Sequence, residues 1–331
     1  MLLEEMKTLP SHFDGRRFRN LVPRRNGLGG LLRWLLTRRR GQWRAVASTH
    51  PAAVPPKSSG PLRITFVNHS TFLLQVDGIN ILTDPIWSER ASPLSWIGPR
   101  RMHPPGLAME QLPPIDLVLL SHDHYDHMDL PTLRRLSCEH RPTIYTGLKN
   151  SRRLAKEGIT NVVELDWWQE AAARSDMWVT AVPAQHFSGR TPFDRDKTLW
   201  CGFMLQTEHL SIYFAGDTGQ GPHIEEIAHR FPEIDLAILP IGAYRPEWFM
   251  GEVHMSPQDA VNAHRTLAAN VSVASHFGTF PLADDGDDEA VQELQAILER
   301  TPMQGTEFWT LPFGEGRDVQ ARALAVRRGT A

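Results

Sequence analysis

Residues 116–127 read Asp-Leu-Val-Leu-Leu-Ser-His-Asp-His-Tyr-Asp-His, so a short apolar run leads directly into three imidazoles and two carboxylates. The run is typical of a buried β-strand. Polar groups crowded at the end of such a strand are costly to bury unless something satisfies them, and a divalent cation would do so. His122 and His124 can turn one way while Asp126 and His127 turn the other, so this loop could supply two metal sites. The interleaved acids and the leading strand argue against a histidine-rich surface loop.

Three later residues repeat this context, because each follows an apolar, strand-like run and precedes a turn-forming residue. They are His186, Asp217 and His276. Taken alone, a histidine or aspartate at a strand end is more often a cap or an ordinary hydrogen-bonded side chain. Because all three share one pattern, we expect them to complete the metal sites that the loop at 122–127 begins.

These motifs, in this order, resemble the N-acylphosphatidylethanolamine-hydrolysing phospholipase D family of the metallo-β-lactamase superfamily. The resemblance covers roughly residues 60 to 315 and is specific, since several separate motifs occur in the same order. Alternating strands and helices alone predict an α/β fold. The resemblance implies a metallo-β-lactamase αβ/βα four-layer sandwich with the metals at one edge of the sheets. The further matching segments are Asn68–Thr71, Leu82–Ile86, Ser92–Arg101, Leu112–Asp116, Glu164–Trp168 and Pro240–Tyr244.

The resemblance also implies a role for each polar residue of the site. One zinc would be held by His122, His124 and His186, a second by Asp126, His127 and His276, with Asp217 bridging the two. Iron or manganese would fit the same ligands. A hydroxide shared by the two metals would attack phosphorus.

Further polar residues are expected beside the metals. The resemblance implies that His254 faces the substrate phosphate and joins Asp126 and Asp217 in catalysis, either stabilising charge or donating a proton. Asp84 is expected to orient a ligand histidine. For His69, an orienting role and a simple strand-end hydrogen bond are both open.

Charge divides the chain into two parts. Eleven of the 35 basic side chains but only three of the 38 acidic ones fall within residues 1–45, so a basic arm precedes an acidic body. We therefore predict a basic extension with a Pro-rich linker over residues 1–60, and a hydrolase domain over residues 61–331. The linker is placed at residues 51–61. Two cysteines without ligand spacing, Cys138 and Cys201, suggest a reducing compartment and hence the cytoplasm.

The arm permits three interpretations. Its leucines and Trp34, followed by Arg38–Arg40, suit contact with an anionic membrane, which would make the protein peripheral at the inner face. It could instead pack against the catalytic domain or a second subunit, or form a solvated or nucleic-acid-binding tail. Its apolar run is too short to span a membrane, and it lacks a convincing signal-peptide pattern. Homo-oligomerisation is left open.

Periodicity and turn residues predict several elements after the linker. Asp77-Gly78 should form a tight turn between two strands, and Ser256 should cap a helix with Pro257 in its first turn. The predicted strands are 63–67, 71–76, 79–82, 116–120 and 178–182, with two more within 199–214 separated by a turn near Glu208. The predicted helices are 130–136, 151–157 and 257–268.

The sequence therefore predicts a zinc-dependent phosphodiesterase that acts on a phospholipid and releases N-acylethanolamine and phosphatidic acid. Two alternatives are a hydrolase of a soluble ester, lactone or phosphodiester, and a non-enzymatic metal- or lipid-binding protein. The acidic body disfavours a nucleic-acid partner. Five aromatic residues could line an acyl-chain groove or simply fill the core: Trp87, Trp96, Tyr244, Trp248 and Phe249.

Overall fold

A first mixed sheet is formed largely by the amino-terminal half of the body. The computed structural model describes residues 12–46, 54–56, 62–301, 303 and 305–320. Within these ranges, the strands of this sheet are β1 (Leu62–Asn68), β2 (Thr71–Val76), β3 (Ile79–Thr83), β4 (Leu117–Leu120), β5 (Thr143–Gly147), β6 (Val162–Leu165) and β14 (Gly316–Asp318). Their spatial order is β14-β1-β2-β3-β4-β5-β6. The strands from β14 to β3 are antiparallel, and those from β3 to β6 are parallel.

The second sheet repeats this arrangement with the later strands. It contains β7 (Glu170–Arg174), β8 (Met177–Val182), β9 (Gly202–Thr207), β10 (Ser211–Phe214), β11 (Leu236–Pro240), β12 (Val271–Ser275) and β13 (Glu307–Trp309). The spatial order follows the chain from β7 to β13. The first four strands are antiparallel and the last four are parallel.

Helices cover the outer face of each sheet, while the inner faces pack together. Phe66 and Phe72 of the first sheet share one buried cluster with Phe203 and Phe214 of the second. Truncating such a phenylalanine to alanine costs about 3–5 kcal/mol, so this cluster holds the two sheets in place. The helices are α1 (Leu28–Thr37), α2 (Leu130–Glu139), α3 (Ser151–Lys156), α4 (His223–Arg230), α5 (Glu247–Met250), α6 (Pro257–Leu267) and α7 (Glu289–Arg300).

These layers confirm the predicted four-layer αβ/βα sandwich. Leucines of α2 and α3 pack with the outer face of the first sheet, and apolar residues of α4, α6 and α7 pack with that of the second. Strands alternate their side chains between two faces, so both faces of a central strand can be buried only when layers lie on either side. β4 and β11, buried along their whole length, show this.

Most of the predicted elements occur within a few residues of their predicted bounds. Asp77 and Gly78 both have positive φ, as a tight hairpin turn requires. Ser256 caps α6, since its side chain accepts a hydrogen bond from the Asp259 amide at 3.2 Å while the Asp259 carboxylate accepts from the Ser256 amide at 3.1 Å. Such a cap contributes about 1 kcal/mol, and it fixes the chain just after His254.

The described part of the basic arm, residues 12–46, lies against the body. α1 turns Trp34 inward to pack with Met250 and Ala283, and the indole Nε1 donates to Asp284 Oδ2 at 3.0 Å. Packing against the catalytic domain is therefore the interpretation that this segment shows. The division into an arm of residues 1–60 and a domain of residues 61–331 stays a prediction.

Two expectations about the arm concern its ends and its membrane relation. The predicted linker at 51–61 lies outside the described residues except for residues 54–56. Among the helices of the described segments, none combines the length and the apolar character needed to cross a bilayer.

Candidate metal centre

The ends of strands from both sheets bring the predicted ligands together. The loop after β4 carries four of them, and the segments that follow β8, β10 and β12 carry one each. All seven side chains form two adjoining groups: His122, His124 and His186 in one, and Asp126, His127 and His276 in the other, with Asp217 between them. Residues separated by more than 150 positions therefore form one site.

In the first group, three ring nitrogens face one another. The Nε2 of His122 lies 2.8 Å from Nδ1 of His124, and the Nε2 of His186 lies 3.2 Å from the same nitrogen. Nitrogen ligands of a tetrahedral zinc, each about 2.0–2.1 Å from the metal, lie ~3.3 Å apart. The first group is thus already close to the spacing that one cation requires.

In the second group, the carboxylate of Asp126 lies among imidazoles. Its Oδ2 is 3.2 Å from Nε2 of His127 and 3.5 Å from Nε2 of His276. A fourth ring joins them, because Nε2 of His69 lies 3.0 Å from the same oxygen. His69 could therefore either orient Asp126 or serve as a further ligand.

Asp217 connects the two groups through one oxygen. Its Oδ2 lies 3.0 Å from Nε2 of His276 and 3.1 Å from Nε2 of His127. The same oxygen is 3.7 Å from Nε2 of His186 and 4.0 Å from Nε2 of His122. A carboxylate in this position can bridge two cations, as the resemblance implies for Asp217.

The chemistry of these side chains fits divalent metal. Nε2 of His127 and Nε2 of His276 lie close to carboxylate oxygens but not in hydrogen-bond geometry, and Oδ1 of Asp217 is likewise buried without a hydrogen bond among the described residues. Leaving a buried polar atom unsatisfied costs about 1–3 kcal/mol, and more when the group is charged. A metal ion would satisfy all three atoms, and imidazole nitrogens with carboxylate oxygens suit zinc, iron or manganese.

Asp84 holds two of the histidines in orientation. Its Oδ2 lies 2.6 Å from Nδ1 of His127, and it accepts the Ser121 hydroxyl, also at 2.6 Å. Ser121 Oγ in turn lies 2.8 Å from Nδ1 of His122. When Nδ1 donates in this way, Nε2 is left free to bind a cation. Asp84 therefore lies where the predicted supporting role requires, and Ser121, which the sequence analysis missed, extends that role to a second ligand.

Close backbone approaches hold the strand ends together. Gly216 has a φ of +60°, and a Cβ there would lie 2.6 Å from the Ser121 Cβ. At Gly242 a Cβ would come within 1.9 Å of the His276 carbonyl oxygen. His69, Asp84 and His276 themselves have positive φ, which is uncommon for residues with a side chain. Backbone of this kind persists only where surrounding contacts enforce it, and it is frequent at functional sites.

The two groups differ in their electrostatics. Burial and neighbouring imidazoles lower the pKa of His122 and His186 well below the usual value, so these rings are neutral. Burial also acts on His127 and His276, but the carboxylates of Asp217 and Asp126 outweigh it, raising the pKa of His276 to about 9 and that of His127 well above its usual range. Two buried carboxylates thus demand positive charge at this group, which a cation would supply by displacing protons.

Comparison with known proteins agrees with this geometry. Residues 79–277, more than half of the chain, match the beta-lactamase superfamily domain. The chain is 34% identical over 270 residues to N-acyl-phosphatidylethanolamine-hydrolyzing phospholipase D 1 of Caenorhabditis elegans, covering 78% of this chain and 76% of the relative. The chain belongs to this phospholipase D family of the metallo-β-lactamase superfamily.

Two other similarities extend the comparison. An uncharacterised protein of Mycobacterium tuberculosis is 39% identical over 273 residues, covering 78% of this chain and 72% of the relative. The solved structure of an isothiocyanate hydrolase from Delia radicum gut bacteria superposes with a TM-score of 0.60 at 20% identity, covering 78% of this chain and 99% of the other. At that identity the superposition shows the fold alone. As a member of the superfamily, the protein is a metal-dependent hydrolase.

His254 lies beside the metal centre of this metallo-β-lactamase fold. Its Nδ1 is 3.9 Å from Oδ2 of Asp217, and its ring centre is 5.1 Å from that of His186. Burial lowers the pKa of His254 to about 4, so the ring is neutral at physiological pH. Nδ1 has no hydrogen-bond partner among the described residues. A neutral imidazole in this position can donate one hydrogen bond to a substrate.

A cavity of about 640 Å³ opens beside His254, between the arm and the loop before α6. Its lining combines apolar side chains with guanidinium groups: Leu28, Leu31, Trp34, Phe249 and Leu282 are apolar, and Arg24, Arg25 and Arg195 are cationic. A larger cavity of about 800 Å³ lies near Phe277 and Phe313 and includes none of the predicted ligands or His254. Of these two cavities, the smaller one therefore adjoins the candidate metal centre through His254.

The five aromatic residues left open by the sequence have different environments. Phe249 lines the cavity and stacks on Trp34, with ring centres 5.4 Å apart. Tyr244 is a core residue, because it is fully buried and its hydroxyl donates to Glu293 at 2.7 Å. Trp87 packs with the helix side of the first sheet, whereas Trp96 and Trp248 are exposed.

Proposed function

We propose that this protein is a phosphodiesterase that cleaves N-acylphosphatidylethanolamine, or a closely similar phospholipid, into phosphatidic acid and N-acylethanolamine. The observation that carries the proposal is a shared carboxylate, Asp217, joining two ligand groups beside a cavity whose lining contains both arginines and large apolar side chains. The printed name of the Caenorhabditis elegans relative gives the same substrate class.

The side chains would hold two divalent ions, zinc in the first instance and iron or manganese as alternatives. The first group would hold one ion and the second group the other, with Asp217 shared. Bound divalent ions lower the pKa of water and stabilise negative charge on phosphoryl oxygens. Asp84 and Ser121 contribute by binding the Nδ1 side of His127 and His122, which directs the Nε2 atom of each ring towards the metal ions.

His254 would act on the phosphate as a hydrogen-bond donor. Its ring is neutral, buried and next to Asp217, so one N–H can point to a non-bridging oxygen without the cost of removing an imidazolium from water. Preorganised donors of this kind typically contribute about 10²–10³-fold in rate. In this proposal His254 stabilises charge on the phosphate and does not protonate the leaving oxygen, because a ring whose pKa is about 4 carries no acidic proton at physiological pH.

The arginines of the cavity lining suit an anionic lipid. The guanidinium carbons of Arg24 and Arg195 lie 5.3 and 4.6 Å from the centre of the Phe187 ring, which itself packs on His124 and His186. Asp196 pairs with Arg24 at 2.6 Å and is 3.9 Å from Arg195, so one carboxylate faces two cations. The surplus positive charge supports binding of the substrate phosphate or the phosphatidic acid product.

The outer face of α1 supports contact with a membrane. Leu28, Leu32, Leu35 and Leu36 lie on one side of the helix and are between 52% and 86% exposed. Leu28 also lines the cavity, so the exposed leucines continue directly into the site. The exposed Arg39 and Arg40 follow the helix and would contact anionic headgroups. In this proposal, residues 1–60 form a surface-contact arm for the hydrolase domain of residues 61–331, and the protein acts as a peripheral membrane enzyme.

One experiment separates this function from the alternatives. Metal-replete protein is incubated in parallel with N-acylphosphatidylethanolamine vesicles, a soluble aryl phosphodiester and a lactone, and the products are identified by mass spectrometry. We expect phosphatidic acid and N-acylethanolamine in equal amounts, and no product after chelation until metal is restored. Rapid turnover of a soluble substrate with no lipid cleavage would favour a soluble hydrolase. Metal binding without any turnover would favour a binding protein.

A further inference from the structure

Residues 18–26 of the arm cross between the two loops that surround His186. At one end the amide of the buried Phe18 donates to the Asp196 carbonyl at 2.7 Å. At the other end the amides of Arg25 and Asn26 donate to the Glu252 carboxylate, at 3.0 and 3.1 Å. The arm therefore contacts both the segment after β8 and the segment that carries His254.

Asn20, in the middle of this segment, makes two hydrogen bonds to the backbone of His186. Its Nδ2 donates to the His186 carbonyl at 2.7 Å, and its Oδ1 accepts the His186 amide at 3.1 Å. The same oxygen also accepts the Trp200 indole N–H at 3.0 Å. A side-chain amide that pairs with both groups of one peptide residue fixes its position much as a neighbouring strand would.

Gln185 returns the same kind of contact in the opposite direction. Its Nε2 donates to the Val22 carbonyl at 2.6 Å, and its Oε1 accepts the Val22 amide at 3.3 Å. Two neighbouring residues of the ligand segment thus exchange four hydrogen bonds with the arm. His186 needs such support because β8 ends at Val182, so no strand ladder holds the segment that carries it.

The ring of His186 is held from the same direction. Its Nδ1 donates to the Val253 carbonyl at 2.8 Å, which leaves Nε2 facing His124. Val253 follows Glu252, whose carboxylate binds the arm. The arm therefore supports His186 in two ways. Asn20 binds the backbone of His186, and Arg25 and Asn26 bind Glu252, the residue before the Val253 carbonyl that holds the ring.

We propose that Asn20 is a positioning residue for the first ligand group, so that the arm completes the site formed by His122, His124 and His186. This proposal concerns the affinity for metal and is independent of the identity of the substrate. Residues that orient ligands typically change metal affinity by about 10–100-fold when they are removed. A merely structural role would lower thermal stability without selecting one of two metal sites.

The test compares Asn20→Ala with Asn26→Ala, a matched change in the same segment. Asn26 donates from Nδ2 to the Trp248 carbonyl at 2.9 Å and makes no contact with His186. Metal-free full-length proteins are titrated with Zn²⁺ against a chromophoric chelator, and with Co²⁺ followed by visible absorption. We expect Asn20→Ala to weaken one of two binding steps by about 10–100-fold, and Asn26→Ala to leave both steps unchanged.

Two results would overturn the proposal. One is an Asn20→Ala protein that binds both ions as the unaltered protein does, and the other is an equal loss of affinity in Asn26→Ala. Should Asn20→Ala fail to fold, Asn20→Asp decides instead, because it keeps the acceptor for His186 and Trp200 while losing the donor. If Asn20→Asp weakens one of the two metal-binding steps, the positioning role of Asn20 is supported. If both binding steps are unchanged, the proposal is contradicted.

Discussion

The metal centre and the helix α1 both depart from the usual distribution of polarity, but in opposite directions. Around Asp217, histidines and carboxylates are almost completely buried. On α1, Leu28, Leu32 and Leu36 are largely exposed. Soluble proteins normally expose ionisable groups and bury leucines. Both the buried cluster and the exposed face of α1 are therefore expected to need a partner. Under the proposed function, cations complete the buried groups and lipid covers the exposed ones.

The strongest way to break the comparison is to remove the charge that joins the two ligand groups. Asp217→Asn keeps the size of the side chain but removes its negative charge. That charge matters here because, despite burial, the neighbouring imidazoles hold the pKa of Asp217 well below its usual value. We expect turnover to fall by roughly 10³-fold and metal content to fall below two ions per chain. Steady-state kinetics and elemental analysis measure these effects.

A surface aspartate provides the control for this change. Asp318 pairs with Arg63 at 2.9 Å and is mostly exposed, and such pairs contribute little to stability. Asp318→Asn should therefore retain both ions and full turnover. An Asp217→Asn protein with two ions and normal turnover would remove the bridging role from the proposal.

The buried half of this comparison could be predicted from the sequence, because four of the predicted ligands share the loop after β4 and each of the other three follows a strand of its own. The turn at Asp77-Gly78 and the cap at Ser256 were predictable for the same reason, since both are decided within a few residues. His69 and Ser121 were not assigned, because their contacts to Asp126 and Asp84 join residues that are 57 and 37 positions apart. The hydrogen bonds between Asn20 and His186 join residues 166 positions apart, and no local sequence pattern predicts them.

The exposed half was predictable only as a set of alternatives. The composition of α1 suits a membrane surface and a domain interface equally, and the helix uses one face for each. Trp34 is directed inward because its indole N–H donates to Asp284 and its ring packs on Met250. Neither residue belongs to the arm, so the sequence of the arm alone does not predict this direction. The environments of Phe249 and Tyr244 were likewise decided by distant packing, so the sequence could not separate a cavity wall from a core residue.

A second and smaller effect is expected at the boundary between metal centre and cavity. His254→Gln removes the neutral imidazole beside Asp217 while leaving the seven predicted ligands in place. We expect kcat to fall by about 10²-fold with both ions retained, as measured by kinetics and elemental analysis. The exposed His209 provides a matched substitution, and His209→Gln should leave kcat unchanged. Loss of a metal ion in His254→Gln would instead assign this histidine to the ligand set.

The smallest effect sharpens the exposed side of the comparison, at Leu32 and Leu36 on the outer face of α1. Changing both to serine removes apolar surface that meets neither the cavity nor the body, so folding and the metal centre should be unaffected. Burying a leucine contributes about 1.5–3 kcal/mol, and partial insertion of two leucines predicts a loss of roughly tenfold in binding to anionic vesicles.

Leu94→Ser, at another exposed leucine, is the control. Sedimentation with vesicles measures binding, while turnover of a soluble phosphodiester should stay constant. Equal losses on vesicles and on the soluble substrate would show that these leucines support the fold, and unchanged vesicle binding would move the membrane contact away from α1.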